Sequence, residues 1–341
     1  MRSAPLLIVM LAVCAAAAAQ DDLRDRLTMA DGKVLAGRVE NPHDAAEWTL
    51  LQGGKRLRLQ RSEVAESDLV ADRIREFCER RVRLRDSAKA QAWLVDWAAS
   101  RQLPGMARAQ AMWQALASDD DAAHEFLGHQ RGPKGWTWPH EGKRLTLQQL
   151  EQALLRNPLT IVGERFAVRC DGDLARATAA LLDLEHLGVV WHARFGRDLQ
   201  LHESLQPMLV EVHDSVEDFP KWGFRPIPWY EPPPHGDVAR TFCTGIRTPR
   251  PERLFFVGTQ ALLYRTLIGE VNRQDQRDRV CAWLEVGLGM HMESMMQGDA
   301  GFAAPGPLRA QHTQAMTALG RSYQLSQLLH LPMYGNRKSV V

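Results

Sequence analysis

The strongest pattern of apolar and polar positions lies in the last third of the chain. Residues 254–271 are apolar almost all round, and no continuous polar face interrupts them. A run of this kind predicts a helix that crosses a hydrophobic core. The polar residues 272–278 separate it from a second predicted helix over residues 280–296. We therefore expect two consecutive helices here, the first of them buried.

A different pattern, made of short alternating runs, occupies residues 22–66. Two turn signals, Asp31-Gly32 and Gly53-Gly54, each lie between short runs of apolar and β-branched residues. Such runs about a tight turn predict β-hairpins. Two hairpins of this length suggest a small SH3-like β unit.

Residues 67–157 have a helical, alanine-rich pattern. A cap at Ser87 opens one predicted helix, and a second follows over residues 106–117. Paired short helices resemble helical-repeat units, although the segment has only one and a half copies. The glycines and prolines of residues 128–144 predict a loop-rich junction that also contains tryptophan. We expect the interior of the helical layer to be filled by Trp93, Trp97 and Trp113.

Residues 158–341 alternate strand and helix signals. A strand is predicted over residues 159–169, a long helix over residues 174–195, a strand over residues 207–213 and a short helix over residues 214–219. Together with the preceding segments, these elements predict an α+β protein that is mainly helical. Its order is a small N-terminal β unit, a helical layer and then an α+β domain.

Composition and charge exclude several functional classes. The chain has 341 residues, 45% of them hydrophobic and 24% charged, as in folded soluble proteins. Its formal charge of +1 lacks the basic surplus of a nucleic-acid-binding protein, so we expect no nucleic-acid partner. The sequence contains no G-x-S-x-G elbow, no G-x-x-x-x-G-K-[ST] loop and no G-x-G-x-x-G after a strand.

Residues 1–19 have the pattern of an export signal. Arg2 precedes a short apolar run, and small residues up to Ala19 form a cleavage site. The run is too short to span a bilayer, so we expect no transmembrane segment. A lipid anchor on Cys14 is the alternative, but Val13 fits poorly where a lipoprotein signal has a small residue. We expect a chain that is cleaved near Ala19 and is secreted or located in the periplasm or bacterial cell envelope.

Four cysteines remain after such a cleavage: Cys78, Cys170, Cys243 and Cys281. Outside the cytoplasm they could form two disulfides in any of three pairings, or remain buried thiols. Cys170 and Cys243 both lie in strand-like stretches and are the pair to test first. The wide spacing excludes a C-x-x-C redox or zinc-ribbon motif.

The second of the two C-terminal helices also carries a motif. Trp283-Leu284, Gly287 and Glu293 resemble the W-L-x-E-G-x-A-x-Y-x-E helix of the gluzincins, zinc peptidases of the peptidase MA-like group. In that group the middle Glu is the third zinc ligand, and an upstream helix carries H-E-x-x-H. The resemblance implies a gluzincin-like domain over residues 158–341. The Leu-Gly and Gly-Trp pairs of the junction resemble exported bacterial proteins with a helical segment before a peptidase-like domain.

The resemblance also implies that the zinc chemistry is lost. Where the family has H-E-x-x-H, Thr259 and Leu263 replace the two histidine ligands and Gln260 replaces the general base. The third ligand position falls on Val286, and the neighbouring Glu285 lies about 100° round the helix. We therefore expect no zinc cofactor and no catalytic residue at these positions.

Other side chains offer an alternative ligand set. His291 occupies the tyrosine position of the family helix, and with Glu293 and His235 it is a candidate for a rebuilt metal site. No two of the twelve histidines are four residues apart. The nearest case is His124 and His129, whose rings would lie about 140° apart on a helix.

A segment rich in rings and prolines precedes the two helices. The family resemblance implies that it lies close to the substrate cleft, and its rigidity suits a binding loop. The alternative is an extended loop that its aromatic residues hold against the domain surface. The candidate cleft residues are Trp222, Trp229, Tyr230 and His235.

These features predict an exported, non-catalytic gluzincin-like pseudopeptidase that acts as a binding or scaffold protein for a peptide or protein partner. A zinc-dependent peptidase with a rebuilt metal site is the first alternative, and a purely structural envelope protein is the second. The sequence does not identify the partner or the oligomeric state.

Overall fold

The computed structural model of the chain describes residues 24–84, 88–133, 135–217, 219–220, 228–232, 236–243, 250–267 and 282–296. It divides into two compact units, Met1–Pro207 and Met208–Val341. The predicted leader, with Cys14 and Ala19, lies outside the described residues. Of the residues described, 45% are helical and 27% are in strands. The expectation of a mainly helical chain is therefore wrong, and the fold is α+β with a large share of sheet.

Five antiparallel strands begin the first unit. They are β1 (Asp25–Met29), β2 (Val34–Val39), β3 (Glu47–Gln52), β4 (Lys55–Gln60) and β5 (Val64–Asp68), in the spatial order β4-β3-β2-β1-β5. Both predicted hairpins are present, β1 with β2 and β3 with β4. Gly53 and Gly54 form the turn of the second hairpin, with φ of 54° and 77°, values that glycine adopts without strain. Alternate strand residues form the core, among them Leu27, Leu35, Trp48 and Leu50.

Four helices follow the sheet. They are α1 (Val70–Arg83), α2 (Ala88–Ser100), α3 (Pro104–Ser118) and α4 (Asp121–Phe126). α2 buries Leu94 and Ala98, whereas Trp93 on its other side is 46% exposed. The expectation that Trp93 fills the interior is therefore wrong. Its ring instead lies 5.3 Å from the Arg80 guanidinium, an exposed cation–π contact.

The Gly- and Pro-rich junction is a small sheet rather than a loop. It consists of β6 (Gln130–Gly132), β7 (Gly135–His140) and β8 (Lys143–Leu145), paired antiparallel in sequence order. Gly135 and Gly142 have φ of 101° and 75°, so the glycines serve the tight turns between strands. Helix α5 (Leu147–Leu154) follows, and a capping box between Thr146 and Gln149 begins it.

The long helix of the first unit has the predicted bounds. α6 runs over Leu174–Phe195, and the Asp173 carboxylate accepts the Arg176 backbone N–H at 2.8 Å as an N-cap. The strand predicted just before it is in fact two antiparallel strands, β9 (Leu159–Val162) and β10 (Phe166–Cys170). Residues 163–165 form the turn between them.

A buried carboxylate on α6 holds this turn. Oε1 of Glu185, a fully buried side chain, accepts the backbone N–H groups of Glu164, Arg165 and Phe166 at 2.7, 2.8 and 3.0 Å. Backbone donors in a turn have no ladder partner, so a buried acceptor must satisfy them. A Cβ on Gly163 would collide with the same oxygen, so glycine is required there.

A second buried carboxylate connects the turn to α3. Oε1 of Glu164 accepts the backbone N–H groups of Gly105 and Met106 at 3.0 and 3.2 Å, in the first turn of α3. The two backbones approach so closely that a Cβ on Gly105 would lie 2.8 Å from the Gly163 carbonyl carbon. Burial, and then the charge of Glu185, raise the pKa of Glu164 to about 7.

The second unit contains β11 (Met208–His213), β12 (Trp229–Glu231), β13 (Val238–Phe242), α7 (Leu254–Thr266) and α8 (Ala282–Met296). β13 pairs parallel with β11 and antiparallel with β12. Every residue of α7 is buried, as its all-round apolar pattern predicts. Residues 214–217 form no helix, so the predicted short helix after β11 is wrong.

Three of the four cysteines expected in the cleaved chain lie in the described parts of the structure. Cys78, Cys170 and Cys243 are buried thiols, the alternative to disulfide pairing, and Cys281 lies outside the described residues. Burial raises the pKa of the Cys78 thiol to about 12, so it stays protonated near neutral pH. Among the helices described, none combines the length and the apolar run needed to cross a bilayer.

Candidate functional site

The candidate site is the face of α7 that packs against α8 in the second unit. Close packing of the two helices depends on Gly289, because a Cβ there would lie 2.7 Å from the Phe256 ring. Gly287, on the same helix, has open space around it. The glycine pair of α8 therefore includes one position that packing requires and one that it does not.

The two positions at which the resemblance places histidine ligands carry no zinc donor. Thr259 is fully buried, and its hydroxyl donates to the Phe255 carbonyl oxygen at 2.7 Å, one turn earlier on the same helix. Leu263 is fully buried and apolar. Structural and catalytic zinc ions in proteins are held by thiolate, imidazole and carboxylate groups, which these residues do not supply.

A hydrogen-bonded group of three side chains lies between the helices. Gln260 Nε2 donates to Glu285 Oε1 at 2.6 Å, and the Tyr264 hydroxyl donates to Glu285 Oε2 at 3.4 Å. Gln260 and Tyr264 are four residues apart on α7 and so share one face. Both oxygens of the Glu285 carboxyl group are therefore engaged by neutral donors.

The structure orients α8 differently from the expectation drawn from the family motif. Glu285, and not Val286, is turned towards Gln260, while Val286 is 43% exposed. A rotation of about 100° per residue separates the two positions, so only one of them can face α7. The packing of Gly289 on Phe256 fixes which one it is. The residue assigned to the third ligand position thus faces solvent, and its neighbour occupies the interface.

Burial controls the ionisation of this carboxyl group. It raises the pKa of Glu285 to about 7, against the opposing effect of the hydrogen bonds from Tyr264 and Gln260. Among the described residues, the groups that shift this pKa include no cation. Near neutral pH the group therefore exists in comparable amounts as acid and carboxylate, and it can either donate or accept a hydrogen bond.

One polar atom of the group is left with capacity to bind. Gln260 Oε1 is buried and has no hydrogen-bond partner among the described residues. A buried amide oxygen without a partner costs about 1–3 kcal/mol, so a bound donor would recover free energy. The carbonyl end of Gln260 is thus suited to accept one hydrogen bond from a ligand N–H or O–H group.

Of the substitute ligands considered from the sequence, the two that the structure describes have different surroundings. His291 is exposed, whereas Glu293 is 2% exposed and its Oε2 lies 3.7 Å from Arg253 Nε. His235 lies outside the described residues. Within the described parts of the chain, no group of three or more His, Cys, Asp or Glu side chains is placed to hold a metal ion.

The candidate cleft residues that the structure describes are part of the packing. Tyr230 is 4% exposed, and its hydroxyl donates to Asp237 Oδ1 at 2.6 Å. Asp237 also pairs with Arg265 of α7. Trp229 is half-buried, with its ring 5.1 Å from that of Phe219. Trp222 and His235 are outside the described ranges.

The structure also brings together two histidines whose spacing of five residues would point their rings apart on a continuous helix. His124 Nδ1 lies 2.7 Å from His129 Nδ1, and the Trp136 ring stacks on His124 at 4.5 Å. The pair forms because α4 ends at Phe126, so the helical angle between the two positions does not apply. Asp119 Oδ1 contacts His124 Nε2, on the far side of the ring, so the three groups do not converge on one point.

The chain was compared with family models, with curated proteins and with solved structures. No family model matches it, and neither a curated protein nor a solved structure matches it.

Proposed function

We propose that the chain is an exported, non-catalytic gluzincin-like protein whose α7–α8 face binds a peptide or protein partner. The observation that carries the proposal is the hydrogen bond between Gln260 and Glu285. The resemblance places the general base of an active gluzincin at Gln260 and its third zinc ligand at Val286, the neighbour of Glu285. Here the amide and the carboxyl group bind each other, and the flanking positions are Thr259 and Leu263.

The side chains of this face are unsuited to hydrolysis. A general base must accept a proton from water, and the Gln260 amide has no basic atom near neutral pH. Glu285 has a suitable pKa, but the side chains that bind its oxygens, those of Gln260 and Tyr264, are neutral donors and do not form a ligand set for a metal ion that would activate water.

Binding of a polypeptide fits the same groups. The Gln260 carbonyl oxygen can accept a backbone N–H, and a protonated Glu285 can donate to a backbone carbonyl. Both groups are fixed on packed helices, which reduces the entropy cost of binding. The leader pattern of residues 1–19 supports a site of action in the cell envelope or outside the cell.

Metal content and peptide cleavage test the non-catalytic part of the proposal. For the purified chain we expect substoichiometric zinc by elemental analysis, an unfolding midpoint that a chelator does not change, and no cleavage of a mixed peptide pool. One zinc ion per chain together with chelator-sensitive cleavage would establish the peptidase alternative instead.

A peptide-binding assay tests the second part of the proposal, that the α7–α8 face binds a polypeptide. The same pool, screened for binding to the immobilised chain, should yield ligands whose affinity falls about tenfold in Gln260→Ala, as expected for one buried hydrogen bond. Gln152→Ala, at an exposed position of α5, is the matched control and should bind as the parent does. Equal affinity in the two variants would locate binding elsewhere.

A further inference from the structure

A cavity of about 300 Å³ lies within the first unit and has a lining that is part polar and part apolar. Its volume is at the lower end of the range for small-molecule sites in proteins. It is distinct from the α7–α8 face and does not depend on the function proposed above. The side chains that matter most are His43, Asp72, Arg75, Arg165, His192 and Glu203.

Arg165 uses one edge of its guanidinium group and leaves another open. Its Nε and Nη2 donate to the two oxygens of Glu203 at 3.1 and 2.9 Å, a bidentate pair. Nη1 is buried and has no hydrogen-bond partner among the described residues. A guanidinium group is planar and has five N–H donors, so its Nη1–Nη2 edge can hold a second carboxylate.

A second unsatisfied atom belongs to His192. Its Nδ1 lies 3.0 Å from Nε2 of His43 and 3.7 Å from a Glu203 oxygen. Its Nε2 is buried and, among the residues described, has no partner. When His43 donates to Nδ1, the remaining proton of a neutral His192 is on Nε2, which makes that atom a donor. His192 and Arg165 are 6% and 2% exposed, and both line the cavity.

The fold holds Arg165 in a fixed position. Its backbone N–H is one of the three that Glu185 accepts, so the turn that carries it is anchored to α6. A Cβ on Gly188 would lie 3.0 Å from Arg165 Cδ, so this glycine leaves room for the side chain to pass. A donor that is ordered before binding loses less entropy when a ligand arrives.

The charge of the lining favours an anion of low charge. Arg61, Arg75 and Arg165 face two carboxylates, Asp72 and Glu203, so one positive charge is in excess while the histidines are neutral. A monoanion would neutralise this excess. A dianion such as phosphate would be repelled by Glu203, which lies beside the open edge of the guanidinium group.

We propose that this cavity is a binding site for a small organic monocarboxylate. The carboxylate accepts hydrogen bonds from Arg165 Nη1 and His192 Nε2, the two buried atoms left without partners. The rest of the ligand occupies the cavity beside Val189 and Leu69, two of its apolar lining residues.

The imidazole of His192 reports binding. Burial lowers the pKa of His192 to about 4, with Glu203 opposing the shift and Arg165 and His43 adding to it. A bound carboxylate favours the protonated ring, so its pKa rises in the complex. By linkage, affinity increases as pH falls, for as long as the ligand stays ionised. Asp72 and Arg75 face the same space from α1, and Arg61 faces it from the turn before β5.

The test uses the full purified chain, labelled with ¹⁵N on histidine and titrated at low salt with acetate and with benzoate. We expect saturable shifts of the His192 ring resonances, a higher His192 pKa at saturation, and no saturation with chloride or inorganic phosphate. The absence of a saturable shift, or equal responses to all four anions, would show that the cavity holds only water and ions.

Variants separate a binding role from a structural one. Arg165→Lys keeps the charge beside Glu203 but loses the second edge of donors, and affinity should fall by about tenfold or more. His43→Ala, at a half-buried position with less folding risk, removes the ring that orients His192 and should weaken binding several-fold. Arg194→Gln, an exposed arginine on α6, is the control. Unchanged affinity in His43→Ala, or equal weakening in Arg194→Gln, would overturn the proposal.

Discussion

Two carboxyl groups, one in each unit, show how a binding partner sets the state of a buried acid. Burial alone would raise the pKa of Glu203, but the Arg165 guanidinium, with His192, brings it well below its ordinary value. Glu285 is bound by the neutral side chains of Gln260 and Tyr264, and its pKa rises to about 7. The Arg165 cation outweighs the burial of Glu203, whereas the hydrogen bonds from Gln260 and Tyr264 do not outweigh the burial of Glu285.

Glu203 and Glu285 also belong to two different kinds of site. In the first unit, Arg165 and Glu203 form an ionised pair, and Arg165 has one further edge of N–H donors. Such a pair is suited to a charged ligand. The second unit has an amide, a phenol and an acid that is half protonated near neutral pH, and these recognise polar neutral groups. Under the proposed function, the α7–α8 face carries groups suited to a polypeptide in place of the donors of a metal site.

The largest effect should come from removing Glu203. The substitution Glu203→Ala leaves the Arg165 charge buried and uncompensated, which should cost about 3–5 kcal/mol of unfolding free energy. Glu285→Ala leaves no charge behind and should cost less than half as much. Urea unfolding of both variants measures the loss of unfolding free energy. The control is Glu125→Ala, which removes an exposed carboxylate on α4. Equal losses at Glu203 and Glu285 would contradict the distinction drawn above.

The packing that orients Glu285 provides a second test. Gly289→Ala places a methyl group 2.7 Å from the Phe256 ring and should destabilise the chain by about 1–3 kcal/mol. Gly287→Ala meets nothing and should stabilise it by about 0.5–1 kcal/mol, the difference in helix propensity. Thermal unfolding compares the two variants directly. A loss of similar size in both would mean that α8 does not pack on α7 as described.

Charge can be added to the second unit to sharpen the contrast. Gln260→Glu puts two carboxyl groups at the present 2.6 Å contact and should cost about 1–2 kcal/mol at pH 8, because neither can be ionised beside the other without repulsion. The cost should shrink at pH 5, where one group holds a proton. Gln152→Glu, exposed on α5, should show no such dependence on pH.

The last test is a pH dependence at Glu285. Its folded-state pKa of about 7 lies above the ordinary 4.5, so its contribution to stability is fully present below pH 4.5 and is lost as pH rises through 7. Glu285→Gln is neutral at every pH. The stability of the parent chain relative to this variant should therefore decline between pH 5 and pH 8 in unfolding experiments. A constant difference would show that burial does not perturb Glu285.

Local signals in the sequence predicted the helices better than the sheets. The bounds of α6 follow from its cap at Asp173 and its apolar periodicity, and the burial of α7 follows from its all-round apolar pattern. The split of β9 from β10 was missed because it depends on Glu185, whose carboxylate comes from a later helix. The junction sheet was missed because glycines at tight turns resemble glycines in loops.

The polar groups of the site were harder to predict, because they depend on pairings that are distant in sequence. The identity of the residue facing Gln260 depends on how α8 is rotated, which Gly289 decides by packing. The cavity around Arg165 is lined by residues of a strand turn, the two helices α1 and α6, two strands and two loops, and no spacing rule connects them. Its one local signal was a glycine, Gly188, in the middle of an otherwise well-formed helix.

The turn between β9 and β10 has a consequence for hydrogen exchange. Two carboxylates, Glu164 and Glu185, together hold five amide protons from two separate stretches of backbone. The two stretches are coupled, because opening the turn at residues 164–166 also withdraws the Glu164 carboxylate from the amides of Gly105 and Met106. Exchange at Gly105 and Met106 should therefore be at least as fast as the opening of this turn, and the five amides should behave as one protected cluster.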